Sequence, residues 1–204
     1  MKITKLTRAE KAEVNLTRLY RAAAEVISEK GFTNATVSRI TERAELGTGT
    51  FYNYFASREE ILARIVDTYG RELRQSIKLA IPNKSHFFAS EEISFRAYFR
   101  FLKQHPFFIA IINESAIFIP PVYDKFFESI MAGYRLVLKD ASRKGEIRPL
   151  RGVQIEGTAL MLMASRHYFG EKFLAKVTKD GNLPNRIVNV YMQMIIDGLK
   201  KHPD

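Results

Sequence analysis

The chain of 204 residues contains no cysteine and no tryptophan. Without cysteine there is no disulfide scaffold, no thiol nucleophile and no thiolate metal site. No apolar run approaches the ~20 residues that a membrane-spanning helix needs. The opening residues, MKITKLTRAEK, also lack the apolar core of a secretion signal. We therefore expect a soluble, cytoplasmic protein without membrane contact, whose 46% hydrophobic residues suffice for one or two packed domains.

Residue patterns that carry enzyme chemistry are missing as well. His86, His105, His167 and His202 are scattered, and none stands at metal-ligand spacing from another. The run GTGT at 47–50 lacks the lysine and the length of a phosphate-binding loop, and no GxSxG nucleophile elbow occurs. We predict no catalytic residue, no metal site and no cofactor. A small helical enzyme or carrier that uses the aromatic side chains of the C-terminal part is an alternative.

Basic residues exceed acidic ones, 32 against 22, which gives a net charge of +10. Such an excess suggests a nucleic-acid partner. Residues 1–60 hold only ten basic against eight acidic residues, so the excess does not by itself locate a DNA site. Lys2, Lys5, Arg8 and Lys11 form a basic arm, which is either a solvated disordered tail or a contact to flanking phosphates.

No segment alternates like a strand, and helical spacing dominates throughout. Residues 36–58, TVSRITERAELGTGTFYNYFASR, are typical of two short amphipathic helices joined by a tight link, with Thr36 as the cap of the first. Phe51 and Phe55 stand four apart, so both can face inward. The residues left facing outward are Thr48, Gly49, Thr50, Tyr52, Asn53 and Tyr54. A short, rigid helix with hydroxyls, an amide and phenols suits the DNA major groove.

These residues resemble the DNA-binding segment of the tetracycline-repressor (TetR/AcrR) family of bacterial transcription regulators. The resemblance covers residues 19–62, about a fifth of the chain. The matching motif reads Ala22-Ala23, Glu29-Lys30-Gly31-Phe32, Thr36-Val37, Ile40, Ala44, Gly49-Thr50-Phe51-Tyr52, Tyr54-Phe55, Ser57-Arg58-Glu59 and Ile61-Leu62. The family likeness implies an all-α protein. Residues 1–56 would form the arm and a three-helix helix-turn-helix domain, and residues 57–204 a helical ligand-binding and dimerisation domain.

The resemblance further implies a homodimeric repressor that leaves its double-stranded DNA operator when a small-molecule inducer binds. The DNA-binding residues would be Thr36, Thr48, Gly49, Thr50, Tyr52, Asn53, Tyr54 and Arg58. We expect Thr50 and Tyr52 to affect sequence choice, whereas Thr36, Tyr54 and Arg58 contact phosphate. A ligand-independent DNA-binding protein of the same fold, acting through protein partners, is the alternative. The operator, the regulated genes and the choice between repressor and activator stay open.

Two residues at the link depart from the family pattern. Glu45 stands where the family usually has glycine, and Gly47 stands where it usually has a serine cap. Glutamate enters the left-handed backbone region only at a cost. We therefore expect Gly47 or Thr48 to supply the flexibility and the cap. Thr48 also replaces a frequent basic residue.

Helical periodicity extends through the rest of the chain. Ser57, with Glu60 three residues on, forms a capping box that opens a long helix, and Pro82 ends that helix. The other predicted helices run over residues 14–30, 90–105, 107–117, 123–144, 153–177 and 184–200.

Apolar stripes on three of these helices predict an inducer cavity. Its lining would comprise Phe95, Phe99, Leu102, Tyr123, Phe127, Ile130, Tyr134, Met163 and His167. Spacing alone favours an ordinary core, and it is the family resemblance that favours the cavity. Asn113, Glu114 and Arg166 are further polar groups that a ligand could satisfy if they are buried. The phenylalanines suggest a lipophilic or aromatic ligand.

A surplus of apolar residues on the last two helices predicts a four-helix dimer interface. The interface residues would be Leu162, Phe169, Phe173, Ile187, Tyr191, Met194 and Ile195.

Overall fold

The computed structural model describes residues 7–201, and this range is helical without strands. The helices are α1 Arg8–Lys30, α2 Val37–Ala44, α3 Thr48–Tyr52, α4 Arg58–Ala80, α5 Phe87–Gln104, α6 Phe108–Phe118, α7 Pro120–Lys144, α8 Val153–Phe173 and α9 Asn185–Leu199. Short 3-10 turns follow α1, at Phe32–Asn34, and α8, at Leu174–Lys176. The expected all-α fold class is confirmed.

Helix α1 begins earlier than the apolar pattern indicated, because Thr7 caps it. The Thr7 hydroxyl accepts from the Glu10 amide, and the Glu10 carboxylate accepts from the Thr7 amide. This reciprocal pair satisfies two amides that an open helix end would leave free. Arg8 and Lys11 therefore lie on a helix, so the disordered-tail interpretation is wrong for them. Lys2 and Lys5 lie outside the described residues.

The long helix α4 starts and stops as its sequence predicts. The Ser57 hydroxyl accepts from the Glu60 amide at 3.2 Å, and Glu60 reaches back to the Ala56 amide at 2.8 Å. The helix then runs to Ala80, before Pro82. Helix α7, in contrast, begins three residues before the predicted range and includes Pro120 and Pro121, since the first turn of a helix needs no amide donor.

The chain forms two compact units. Of the described residues, the first unit comprises 7–69 together with Ala110–Tyr123, and the second comprises Gly70–Ile109 together with 124–201. Fully buried members of the first core are Leu19, Ile27, Ile40, Phe51, Ile61, Leu62, Ile65 and Ile111. Fully buried members of the second core include Phe95, Phe99, Phe101 and Leu102. The predicted functional division at residue 56 remains a prediction. Across the described residues, no helix is long and apolar enough to cross a membrane.

Candidate nucleic-acid interface and buried polar cluster

Helices α2 and α3 are fixed to the first unit by their apolar faces. Thr36 caps α2, its hydroxyl accepting from the Arg39 amide at 3.3 Å. Phe51 and Phe55 are almost fully buried, and their ring centroids lie 5.4 Å apart. The inward orientation predicted for both phenylalanines is confirmed. Helix α3 therefore has one anchored face and one free face.

The free face of α3 carries the polar residues that the sequence assigns to DNA. Thr48, Gly49 and Asn53 are exposed, Thr50 is half-buried, and Tyr52 is 61% exposed. A Cβ added at Gly49 would meet no atom within 4 Å. Packing within the chain thus does not require glycine there, and the small residue leaves room outside the helix. Tyrosine is enriched at binding interfaces relative to the rest of protein surfaces.

The link between α2 and α3 departs from the expectation. Glu45 itself adopts the left-handed conformation, with φ 54° and ψ 45°, whereas Gly47 is extended. The prediction that Gly47 or Thr48 supplies the turn's flexibility is wrong. Gly47 does occupy the N-cap position of α3, but it has no side chain with which to cap. Arg18 of α1 holds the Glu45 carboxylate at 2.6 Å, an ion pair that sequence spacing could not indicate.

Basic side chains near this segment are largely paired with carboxylates. Arg43 of α2 donates to Glu29 at 2.8 Å and to Glu25 at 3.3 Å, and these hydrogen bonds raise the pKa of Arg43 further above its ordinary value. Arg18 is paired with Glu45 in the same way. The free face of α3 therefore offers hydroxyl, phenol and amide groups rather than a concentrated positive charge.

Arg58 fastens the start of α4 to the loop before α2. Its Nη1 donates to the carbonyls of Phe32 at 3.0 Å and of Thr33 and Ala35 at 3.3 Å. The guanidinium carbon lies 4.9 Å from the centre of the Phe32 ring. Because the guanidinium already has these acceptors, its geometry favours a positioning role over the expected phosphate contact. Arg58 still lines one open surface hollow together with Thr36 and Tyr52.

Tyr54 has a role that the sequence did not reveal. It is half-buried, and its hydroxyl donates to the Ala12 carbonyl of α1 at 3.3 Å. This hydrogen bond ties the end of α3 to α1, so the expected phosphate contact of Tyr54 would compete with an internal acceptor.

The residues predicted to line the inducer cavity divide into two groups. Phe95, Phe99 and Leu102 are fully buried in the second unit. The half-buried members of that unit are Phe127, Ile130, Tyr134, Met163 and His167. Tyr123 belongs to the first unit, as do Asn113 and Glu114, so the structure does not gather the whole predicted set.

A buried polar cluster lies where α5, α8 and α9 of the second unit meet. The Arg166 Nη2 donates to Glu91 Oε1 at 2.7 Å and to the Ser94 hydroxyl, and the Tyr191 hydroxyl donates to the same Glu91 oxygen. Glu91, Ser94 and Arg166 are all at least nine-tenths buried. Burial disfavours the charge on Arg166, but the Glu91 carboxylate outweighs it and raises the pKa of Arg166 well above its ordinary value. The sequence analysis named Arg166 as a polar group that a ligand could satisfy and placed Tyr191 in the dimer interface, and it did not identify Glu91 or Ser94.

Two buried atoms of this region lack a hydrogen-bond partner among the described residues: the Tyr134 hydroxyl and the Arg166 Nε. The Arg166 guanidinium carbon lies 5.4 Å from the centre of the Tyr134 ring, so the two groups are close neighbours. Burial raises the pKa of Tyr134 well above its ordinary value, which keeps its hydroxyl protonated. Unpaired polar atoms in a buried setting are costly and are uncommon in proteins.

The predicted dimer residues do not share one outer face. Leu162, Ile187 and Tyr191 are buried in the core of their own unit, so the prediction that they face a partner is wrong. Phe169 and Phe173 are half-buried, with ring centroids 5.3 Å apart, and Ile195 is also half-buried. Of the predicted set, only Met194 is largely exposed, at 70%. The buried Arg166 explains the error on α8, since the inner face is Ile155, Ala159, Leu162, Arg166 and Gly170.

The exposed apolar face of α8 and α9 is a different set of residues. On α8 it consists of Val153, Leu160, Met161 and Tyr168, and on α9 of Val190 and Met194. Gly157 and Gly198 lie on the same two helices, and a Cβ added at either would meet nothing within 4 Å. Small residues of this kind allow a second helix to approach closely.

Known proteins resemble this chain both in the sequence of residues 19–65 and in the fold. Residues 19–65 match the family described as bacterial regulatory proteins, tetR family. The chain is 26% identical over 188 residues to an uncharacterized HTH-type transcriptional regulator, YvdT of Bacillus subtilis (strain 168), covering 90% of this chain and 92% of YvdT. It is 25% identical over 135 residues to YhgD, an uncharacterized HTH-type transcriptional regulator of the same organism, covering 64% and 71%. The structure of the fatty acid degradation regulator FadR from Bacillus halodurans superposes with a TM-score of 0.76 at 15% identity, covering 94% of this chain and 96% of that one.

Proposed function

The chain belongs to the TetR family of DNA-binding transcriptional regulators, and from this premise we propose that it is a homodimeric repressor that a small lipophilic molecule releases from its operator. The proposed DNA binding rests on helix α3, which is anchored to the first unit by one face. Phe51 and Phe55 hold it from inside, while Tyr52 and Thr48 face out. Base contacts need side chains held in a fixed place, and this arrangement holds them.

Repressor action requires that ligand and DNA prefer different arrangements of the protein, so that each weakens the binding of the other. Helix α4 begins beside α3 in sequence and runs unbroken past Tyr69 and Gly70, where the chain passes from the first unit to the second. A continuous helix transmits displacement better than a flexible linker does. We assign the coupling to this helix.

Support for a lipophilic ligand comes from the second unit. Its aromatic interior surrounds a polar cluster with two unpaired atoms, and ligand sites typically combine an apolar lining with a few polar groups. FadR of Bacillus halodurans is by its name a regulator of fatty acid degradation, which agrees with a ligand of this class.

Support for a homodimer comes from the exposed face on α8 and α9 defined above. Val153 is 82% exposed and Met161 71% exposed, and apolar side chains that exposed on neighbouring helical turns mark an interaction site. Pairing this face with itself around a two-fold axis would build a four-helix interface.

The proposal is tested in two steps. Selection from a random duplex pool should yield one palindromic sequence, and the full chain should bind it far more tightly than random DNA at the same salt concentration. Lipophilic compounds are then screened for release of that operator, measured by fluorescence anisotropy. Failure to select any sequence would contradict the DNA-reading part. Operator binding that no lipophilic compound weakens would favour the ligand-independent alternative.

A further inference from the structure

Tyr134 and Arg166 each carry a buried polar group without a partner in the described part of the chain. Both the Tyr134 hydroxyl and the Arg166 Nε are buried, and neither has a hydrogen-bond partner among the described residues. Arg166 Nε–H can only donate, and the Tyr134 hydroxyl carries a proton to donate. The Arg166 guanidinium carbon lies 5.4 Å from the centre of the Tyr134 ring, so both donors belong to one buried region, and each needs an oxygen acceptor there.

The charge of the polar cluster limits which chemical group of a ligand can supply that oxygen. The Arg166 guanidinium is already paired with the Glu91 carboxylate at 2.7 Å, so its positive charge is balanced. A ligand carboxylate would add a second anion at this buried ion pair and would lose its own hydration. An alkane would leave both donors unpaired. An uncharged carbonyl oxygen has two lone pairs, so it can accept hydrogen bonds from the two donors without adding a negative charge.

The neighbouring residues along the two helices are apolar. Met131 and Leu138 stand three before and four after Tyr134 on α7, and both are buried. Leu162 stands four before Arg166 on α8 and is buried as well. Residues at these spacings share a helix face, so the donors lie on faces that are otherwise apolar. A ligand that reaches them must itself be mostly apolar.

We propose that the inducer of this protein is an uncharged lipophilic molecule with a carbonyl group, such as an ester or a ketone, whose oxygen accepts hydrogen bonds from Tyr134 and Arg166. This inference deepens the proposed function and rests on it for the word inducer. The binding site itself is inferred from the buried polar groups of Tyr134 and Arg166, and ligand binding there can be measured without DNA.

The experiment measures direct binding to the full chain by isothermal titration calorimetry. Matched probes are methyl esters, carboxylates and alkanes of the same chain length, over the range from hexanoyl to dodecanoyl. At the best length, the methyl ester should bind at least about tenfold more tightly than the carboxylate or the alkane, the factor that one net hydrogen bond of ~1.4 kcal/mol provides. Equal binding of ester and alkane would overturn the proposal, and so would binding of the carboxylate alone or of none of the probes.

Variants separate the carbonyl contact from general stability. Tyr134→Phe removes only the unpaired hydroxyl, so it should lower ester affinity about tenfold while the melting temperature stays the same or rises. Leu136→Ala, at an exposed residue of the same helix α7, should leave ester affinity unchanged. Unchanged ester affinity in Tyr134→Phe would mean that the Tyr134 hydroxyl does not contact the ligand, and this would overturn the proposal.

Glu91→Gln tests the charge argument. It keeps an oxygen acceptor for Arg166 and Tyr191 but removes the balancing negative charge. The variant should shift preference from the methyl ester toward the carboxylate, by about tenfold in their affinity ratio. A folded variant with an unchanged ratio would overturn the choice of an uncharged ligand. If Glu91→Gln fails to fold, the Tyr134→Phe comparison still decides the carbonyl contact. Ester binding without operator release would contradict the proposed function and leave this site intact.

Discussion

The rings of Phe95 and Tyr191 stack with their centroids 3.9 Å apart and their planes 9° from parallel. Phe95 lies on α5 and Tyr191 on α9, and the Tyr191 hydroxyl continues from this stack to Glu91. Sequence spacing assigned Phe95 to an inducer cavity and Tyr191 to a dimer interface. In the structure both belong to one interior, in which aromatic packing and a buried ion pair hold three helices together.

That ion pair should be a strong determinant of stability. Arg166→Leu leaves the Glu91 carboxylate buried without its partner, which should lower the free energy of unfolding by about 3–5 kcal/mol in urea denaturation. The double variant Glu91→Leu with Arg166→Leu should recover part of this loss, because neither charge is then stranded. If the double variant loses as much as the two single variants combined, the pair is not energetically coupled.

The left-handed residue Glu45 should carry a removable strain. Asparagine tolerates this backbone conformation better than glutamate, so Glu45→Asn should raise the free energy of unfolding by about 0.5–1 kcal/mol. The lost ion pair with Arg18 is exposed and contributes less than that. Arg18→Ala, which removes the pair alone, is the control. Destabilisation of Glu45→Asn would mean that the contact with Arg18 outweighs the strain.

We now predict that the dimer forms through the exposed apolar face of α8 and α9. Met161→Glu or Met194→Glu places a charge on that face and should shift the protein from dimer to monomer in sedimentation velocity. Leu136→Glu, at an equally exposed apolar residue of α7, should leave the dimer intact. A stable dimer in both methionine variants would place the interface elsewhere.

His105 should make the second unit sensitive to acid. Its side chain is only 17% exposed, and this burial lowers the pKa of His105 although Glu72, 3.2 Å away, opposes the shift. The unfolded chain therefore takes up a proton more readily than the folded one. Stability should be lost as the pH falls below the ordinary histidine value of about 6.5. His105→Gln should lose less melting temperature than the wild type between about pH 7.5 and 5.5. An equal loss in both would assign the acid sensitivity to other groups.

The success of the sequence-based predictions depended on how local the signals were. Caps such as Ser57 and Thr36, and paired phenylalanines such as Phe51 and Phe55, act within one or two helical turns and were assigned correctly. The inner face of α8 was not, because its orientation depends on a contact between Arg166 and Glu91, 75 positions apart in the chain. The ion pair between Glu45 and Arg18 was missed for the same reason, because its partners are 27 positions apart in the chain.

The most direct test of the account is the effect of Tyr52→Ala on DNA binding, measured by fluorescence anisotropy on the selected operator and on random duplex at one salt concentration. Tyr52 is exposed and lies on the anchored helix α3, so its loss should leave the fold intact and cost about 1–3 kcal/mol of operator binding. Random-DNA binding should hardly change, and Leu136→Ala, outside the segment, should affect neither. An equal loss of affinity for operator and random DNA would contradict the assignment of Tyr52 to sequence reading.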